Sequence, residues 1–348
     1  MSSTNLEQYL SKFSASDWSA TLEELLQCIH EVDRTAVQIW TRFFPFELYQ
    51  YIEKAEDRDE VIRGLAIQGD FELKNHVDTS HTFLYGHRYW KTVKAAIVAE
   101  SQVFTDQTPT LLQEIKQMGM LVSEKLKVER PLINAIVYVG LMTLNQSGIE
   151  SFSAADGTVE KPSGLMAKSP DRIVRARGED DSQGLLGFLR TDNKKFSVVY
   201  TDSQDAGKFN IINDEEIASA SARDQSRDWK TRDERCWEGV VPVECRAASC
   251  GTCWVGVIGG QDKLTEVARR ERRQMKVFGY NQPDEPKPFL RLACQAKALG
   301  NVTIVIPPWN GVFGKKVYGN IEELELEPAT TSAVRLRETI ASAASNEG

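Results

Sequence analysis

Cys245, Cys250, Cys253 and Cys294 constrain this chain more than any other feature. The first three read Cys-x4-Cys-x2-Cys, and the fourth follows after a long gap. A fold that carries them must wrap a short loop around one point and bring a remote segment to it. This spacing is the ligand pattern of a [2Fe–2S] cluster, in which four thiolates hold two irons. The residues between the first three ligands are Arg246, Ala247, Ala248, Ser249, Gly251 and Thr252. All but Arg246 are small, so backbone N–H groups can approach the inorganic sulfides and tune the potential. Gly251 can take a backbone angle that a side chain forbids. Arg246 would offset part of the negative charge.

Three stretches carry a resemblance. They are Val241-Pro242-Val243-Glu244 before the loop, Cys250-Gly251-Thr252-Cys253-Trp254-Val255 leaving it, and Arg291-Leu292-Ala293-Cys294-Gln295. Over roughly residues 165 to 310 the chain resembles the plant-type and adrenodoxin-like [2Fe–2S] ferredoxin family. The resemblance implies a β-grasp fold, with Cys245 and Cys250 on one iron and Cys253 and Cys294 on the other. It implies an apolar strand over Trp254 to Ile258 and another over Asn301 to Pro307. It also implies one-electron chemistry at low potential, near the roughly −400 mV of plant-type centres. The chain departs from the family in the long gap from Cys253 to Cys294. A second departure is the long polar stretch from Asp202 to Arg235 ahead of the loop.

Zinc is the rival metal, but zinc ribbons present two Cys-x2-Cys pairs, and here there is one triple and one single. Met1 to Gln8 is polar and no apolar signal core follows. The expected compartment is therefore cytoplasmic and reducing, where thiols stay free or bind metal. Cys28 and Cys236 lack ligand spacing; Cys28 lies on an apolar helix-like face and reads as core.

The length of 348 residues suits two domains. A net charge of −8 argues against general nucleic-acid binding and suits solubility and a basic redox partner. No stretch reaches the roughly 18 uncharged apolar residues of a membrane span, and Leu132 to Leu144 reads as a buried helix. The expected fold class is α+β: an all-α helical domain over 1–150, a linker over 151–169, a β-grasp [2Fe–2S] domain over 170–327 and a tail over 328–348.

Within the first domain, Thr21-Leu22-Glu23-Glu24 reads as a capping box opening a helix, followed by Leu22, Leu25, Leu26, Ile29 and Val32 at helical spacing. Pro45 marks a restart after Trp40, Phe43 and Phe44. Further helices are expected over Asp59 to Ile67, His87 to Glu100, Pro109 to Leu126 and Pro131 to Gln146. His76, His81 and His87 gather near Asp78, Tyr85 and Trp90. Imidazole is a common ligand, but the spacing matches no ligand motif, so a core or surface role is expected.

In the second domain, Ile173-Val174, Leu185 to Leu189 and Phe196 to Tyr200 read as strands. Thr191-Asp192-Asn193-Lys194 would turn the last two into a hairpin. Glu215 to Lys230 reads as helix or exposed loop. A helix around Val334 to Ala344 is expected in the tail. Lys263 to Lys276 places Arg269, Arg270, Arg272, Arg273 and Lys276 against Glu266 and Glu271, over a stripe of Leu264, Val267, Met275 and Phe278. It reads either as a solvated helix face or as a docking surface for an acidic partner.

These features point to electron transfer between protein redox partners, as a carrier or as the ferredoxin-like subunit of a larger oxidoreductase. The helical domain would then support a stable complex. The alternative is a redox sensor whose cluster controls partner binding. No Gly-x-Gly-x-x-Gly fingerprint follows a strand, and no residue is expected to act as a catalytic acid, base or nucleophile.

Overall fold

The structure, a computed structural model, describes residues 4–105, 110–179, 194–203, 205–280 and 285–319. It is a mixed α+β protein that divides into two compact units. The first is built from the chain up to Gln50 and from Glu72 to Ala176, the second from Tyr51 to Phe71 and from Arg177 onward. In chain order the helices are α1 (Asn5–Leu10), α2 (Ala15–Leu25), α3 (Glu31–Phe43), α4 (Phe46–Glu53), α5 (Arg58–Gly64), α6 (Trp90–Val103), α7 (Leu111–Leu126), α8 (Pro131–Ala154), α9 (Pro170–Gly178), α10 (Ile217–Ala222), α11 (Arg269–Phe278) and α12 (Gly314–Tyr318). The strands are β1 (Gln68–Gly69), β2 (Lys195–Thr201), β3 (Ala206–Ile212), β4 (Glu215–Glu216), β5 (Trp254–Gly259), β6 (Leu290–Leu292), β7 (Lys297–Ala298), β8 (Val302–Val305) and β9 (Trp309–Asn310).

The first unit is helical. Its α2 starts seven residues before the expected cap. Ser14 is the N-cap, its hydroxyl accepting from the Asp17 N–H while Asp17 reaches back to the Ser14 N–H. Thr21 therefore lies inside the helix, because the Ser14 box satisfies the free N–H groups first. Pro131 occupies the first turn of α8, where its missing N–H costs nothing. From Leu132 to Leu144 every residue of α8 is buried, and α1, α3, α6 and α7 all pack on this helix. By length and composition α8 is apolar enough to cross a membrane, which 132–144 alone is not; most of its apolar window is buried inside the unit. At Gly148 the backbone leaves helical angles (φ +73°), and the freed Ile149 N–H donates to Glu7 Oε1 at 2.8 Å.

Three expectations change here. Helix α8 runs on to Ala154, and Gly164–Ala167 forms a 3-10 turn, so 151–169 is not uniformly loose. Ile173-Val174 lies in α9 rather than a strand, since Pro170 opens a helix and Ile173 packs with Val32, Tyr85 and Leu132. Residues 51–71 belong to the second unit, because β1 pairs antiparallel with β9 and the Val312 N–H donates to the Leu65 carbonyl.

The second unit is built on a sheet of order β3-β2-β8-β5-β6. Strand β2 pairs antiparallel with β3 and parallel with β8; β5 pairs antiparallel with both β8 and β6. Phe196, Val198 and Tyr200 alternate inward along β2, the period of two that a half-buried strand requires. Strand β5 is buried throughout. The hairpin partner of Phe196 to Tyr200 is thus the following strand, β3. Leu185 to Leu189 and residues 191–193 of the expected turn lie outside the described residues, as does the tail helix. Glu215 to Lys230 resolves into β4, the short α10 and irregular chain.

Candidate metal centre

The fourth cysteine reaches the loop through strand register. Cys253 ends the loop and β5 begins at Trp254, which pairs with Leu292 of β6. One residue further, the Ala293 N–H donates to the Cys253 carbonyl at 2.8 Å. The chain then turns tightly, with Gln295 and Ala296 N–H groups donating to the Leu292 carbonyl. Antiparallel pairing of two apolar strands therefore delivers Cys294 beside Cys253 across the long gap in sequence.

The loop itself is shaped by left-handed residues. Arg246 (φ +53°), Ala248 (φ +56°) and Gly251 (φ +73°) all have positive φ. At the first two positions a side chain tolerates a conformation that costs roughly 1–2 kcal/mol. The result is a concave run of N–H groups of the kind that favours anions. The Ala247 and Ser249 N–H groups donate to Cys245 Sγ at 3.4 and 3.3 Å. A side chain at Gly251 would meet the Phe278 ring at 2.9 Å, and the buried Tyr280 hydroxyl donates to the Gly251 carbonyl at 2.6 Å. Trp254 stacks on Tyr280 with ring centroids 3.9 Å apart. These aromatic groups form the dry side of the loop.

Each motif thiol acts most strongly on one other, Cys245 on Cys250 and Cys253 on Cys294. In the first pair the Cys250 thiol, then the loop N–H groups, hold Cys245 below the usual thiol range, while Cys250 is pushed up by donating to it and by burial. In the second, Cys294 is lowered by the Cys253 thiol, the Gln295 side chain and the Ala248 N–H, and Cys253 is raised. The pairs also feel each other's charge, Cys250 with Cys253 and Cys245 with Cys294. Cys253 and Cys294 are buried; Cys245 and Cys250 are half-buried. Among the described residues no group of three or more His, Cys, Asp or Glu is arranged to hold a metal ion.

Arg246 extends from the loop to Glu238, with a second bond to Ser219 Oγ at 3.0 Å. Its charge is thus largely balanced by a carboxylate rather than left over for the thiols. The loop faces outward only at Arg246: Ala248 and Ser249 are buried. Sequence reasoning missed Tyr280, named Phe278 only as part of an apolar stripe and named Gln295 only within the Cys294 stretch. Only Gln295, adjacent to a ligand-type cysteine, carried a signal.

The remaining candidates lie elsewhere. Cys236 is buried, donates to the Val240 carbonyl and is pushed up to about 12 by burial. Cys28 is half-buried rather than core, because the short 3-10 turn it ends leaves it at the unit's margin. His81 and His87 meet in the first unit, Nδ1 to Nδ1 at 2.9 Å, and His81 Nε2 contacts the Val77 carbonyl at 3.2 Å. His76 is not with them; its ring neighbours Phe44 and Thr79. Asp78 accepts from Trp90 Nε1 and the Gly157 N–H, and Tyr85 stacks under Arg88.

Comparison with protein-family models, with curated proteins and with solved structures finds no match to this chain.

Proposed function

We propose that the second unit is a β-grasp ferredoxin-like module holding a [2Fe–2S] cluster on Cys245, Cys250, Cys253 and Cys294, and that the protein transfers single electrons between protein partners. The observation that carries this reading is geometric: the Ala293 N–H bond to the Cys253 carbonyl brings Cys294 to the loop that holds the other three motif cysteines, and loop N–H groups point at Cys245 Sγ. A structural zinc site draws its four ligands as two Cys-x2-Cys pairs, whereas here there is one triple and one single. The sheet supports the β-grasp reading: an edge hairpin of β3 and β2, β2 parallel to β8, and β5 antiparallel beside it.

When bound, the cluster supplies one-electron chemistry. The chain's own residues set its surroundings. Ala247, Ala248 and Ser249 present N–H groups to sulfur, which favours the thiolate form and added negative charge. Phe278, Tyr280 and Trp254 exclude water from the Gly251 side. The half-buried Cys245–Cys250 pair is the edge nearest solvent.

Anaerobic purification with iron and sulfide analysis, followed by electron paramagnetic resonance after dithionite reduction, tests the reading. Two irons and two sulfides per chain with a rhombic spin-half signal are expected. Colourless protein with stoichiometric zinc overturns it. A second reading, the electron-transfer subunit of a larger oxidoreductase, draws on the first unit's separate helical core. A stoichiometric partner on purification from the native source selects it over a free carrier. Partner binding that changes on reduction would instead select a redox sensor.

A further inference from the structure

The helix that closes over the loop is unevenly charged. Arg269, Arg270, Arg273 and Lys276 of α11 are all exposed. Their spacing puts Arg269, Arg273 and Lys276 on one stripe and Arg270 beside it. The sequence sets them against Glu266 and Glu271; Glu266 stays exposed ahead of the helix, but the structure removes the Glu271 carboxylate from the surface. Glu271 is fully buried, where it takes a two-pronged bond from Arg291 at 2.9 and 3.0 Å and a third from the Leu292 N–H. Glu271 is the only acid within α11, so the outward face has none. Helix α12, which packs on α11, adds exposed Lys315. This basic face sits on a chain whose net charge is −8. The same helix ends at Phe278, whose ring lies against Gly251 of the thiol loop.

We propose that the exposed face of α11 docks an acidic surface of the protein that exchanges electrons with the thiol-loop site. The proposal deepens the electron-transfer reading and rests on it for what passes between the partners, though not for the binding itself. Charge complementarity selects the occupant: a cluster of cations steers and orients a partner rich in Asp and Glu. A neighbouring end that touches the loop gives the docked partner a short path to the redox site. Arg272 Nη1 donates to the Glu285 carbonyl at 3.2 Å, which ties the helix to the chain that follows it.

The test uses the full chain and a fourfold variant, Arg269→Gln, Arg270→Gln, Arg273→Gln and Lys276→Gln. Fluorescence anisotropy measures binding of a labelled polyglutamate peptide and of a single-stranded oligonucleotide of equal charge. The wild type is expected to bind the peptide at low salt, to lose affinity as salt rises, and to bind it about tenfold or more tightly than the variant does. Equal peptide affinity in the two proteins overturns the proposal. Tighter binding of the oligonucleotide than of the peptide also overturns it, in favour of a nucleic-acid surface. The spin signal of reduced protein is recorded in parallel. Its absence from the wild type counts against the cluster alone and leaves the binding result to be judged by itself.

Discussion

The thiol loop of the second unit and the histidine cluster of the first both gather ligand-type side chains, yet the loop's backbone donors favour a thiolate at Cys245 while the histidine pair is held neutral. In the histidine cluster, His81 Nε2–H donates to the Val77 carbonyl, so its Nδ1 must accept from His87 Nδ1–H. Burial then holds His81 well below the usual imidazole range and His87 at about 4. Both rings are neutral, and the one lone pair of His81 is spent on its neighbour. In the thiol loop the donors are backbone N–H groups aimed at sulfur, which favour anions. Ligand-type residues in proximity do not define a metal site; where their lone pairs point does.

The comparison is broken most directly at the ligands. On the proposed cluster, Cys253→Ser is expected to lose visible absorption and iron, whereas His81→Gln leaves iron per chain unchanged. Metal analysis of both variants, purified anaerobically, checks this. Iron lost equally from both would erase the distinction between the two clusters.

The next effect concerns how each unit stores a buried carboxylate. Asp33 in the first unit is fully buried and satisfied by two backbone donors, the Tyr85 and Gly86 N–H groups at 2.6 and 2.9 Å. Glu271 in the second is satisfied by a guanidinium. Removing it strands the Arg291 charge at 3% side-chain exposure. Glu271→Ala is expected to cost about 3–5 kcal/mol, as breaking one side of a buried pair does. Replacing both partners, Glu271→Leu with Arg291→Met, should recover most of that. Urea unfolding of the two variants followed by circular dichroism measures the difference.

A third test uses pH. The unfolded chain protonates His87 as pH falls below its ordinary 6.5, while the folded protein resists until about 4. Stability from this group is therefore complete above pH 6.5 and is lost between pH 6.5 and about 4. The loss is on the order of 3 kcal/mol, because each tenfold difference in proton affinity between the folded and unfolded chain is worth about 1.4 kcal/mol. His87→Gln should flatten that part of the pH profile, read from urea midpoints at about pH 7 and about pH 5, either side of the ordinary imidazole range. A profile as steep as that of the wild type would mean that His87 is not held neutral.

What the sequence showed, and what it hid, follows the range of the interactions. The thiol loop was legible because ligand spacing is a local property, and α8 because thirteen consecutive positions from Leu132 to Leu144 are dominated by apolar residues. Strand β3 was not, since Ala206, Gly207 and Lys208 dilute its two inward residues, Phe209 and Ile211. Its identity comes from pairing with β2. Residues 68–69 read as part of the helical domain over 1–150, because nothing local announces a partner at Trp309 and Asn310. The left-handed Arg246 and Ala248 were hidden because neither residue type favours positive φ. Glu271 read as surface charge, because burial depends on Arg291, which is remote in sequence.

The smallest effect is expected where the loop meets solvent. Arg246 is the one loop residue whose side chain is both charged and exposed, and it holds Glu238 and Ser219. An exposed ion pair contributes only about 0–1 kcal/mol, so Arg246→Gln should change the urea midpoint little. Its left-handed backbone predicts more at the same position: Arg246→Gly removes the side chain but also relieves a conformation that costs a non-glycine residue roughly 1–2 kcal/mol. Glycine should therefore match or exceed the wild type in stability, and glutamine should fall slightly below it. The two variants divide side-chain bonding from backbone shape. If glycine is the less stable of the two, the Arg246 side chain, rather than the run of inward N–H groups, is what maintains the loop.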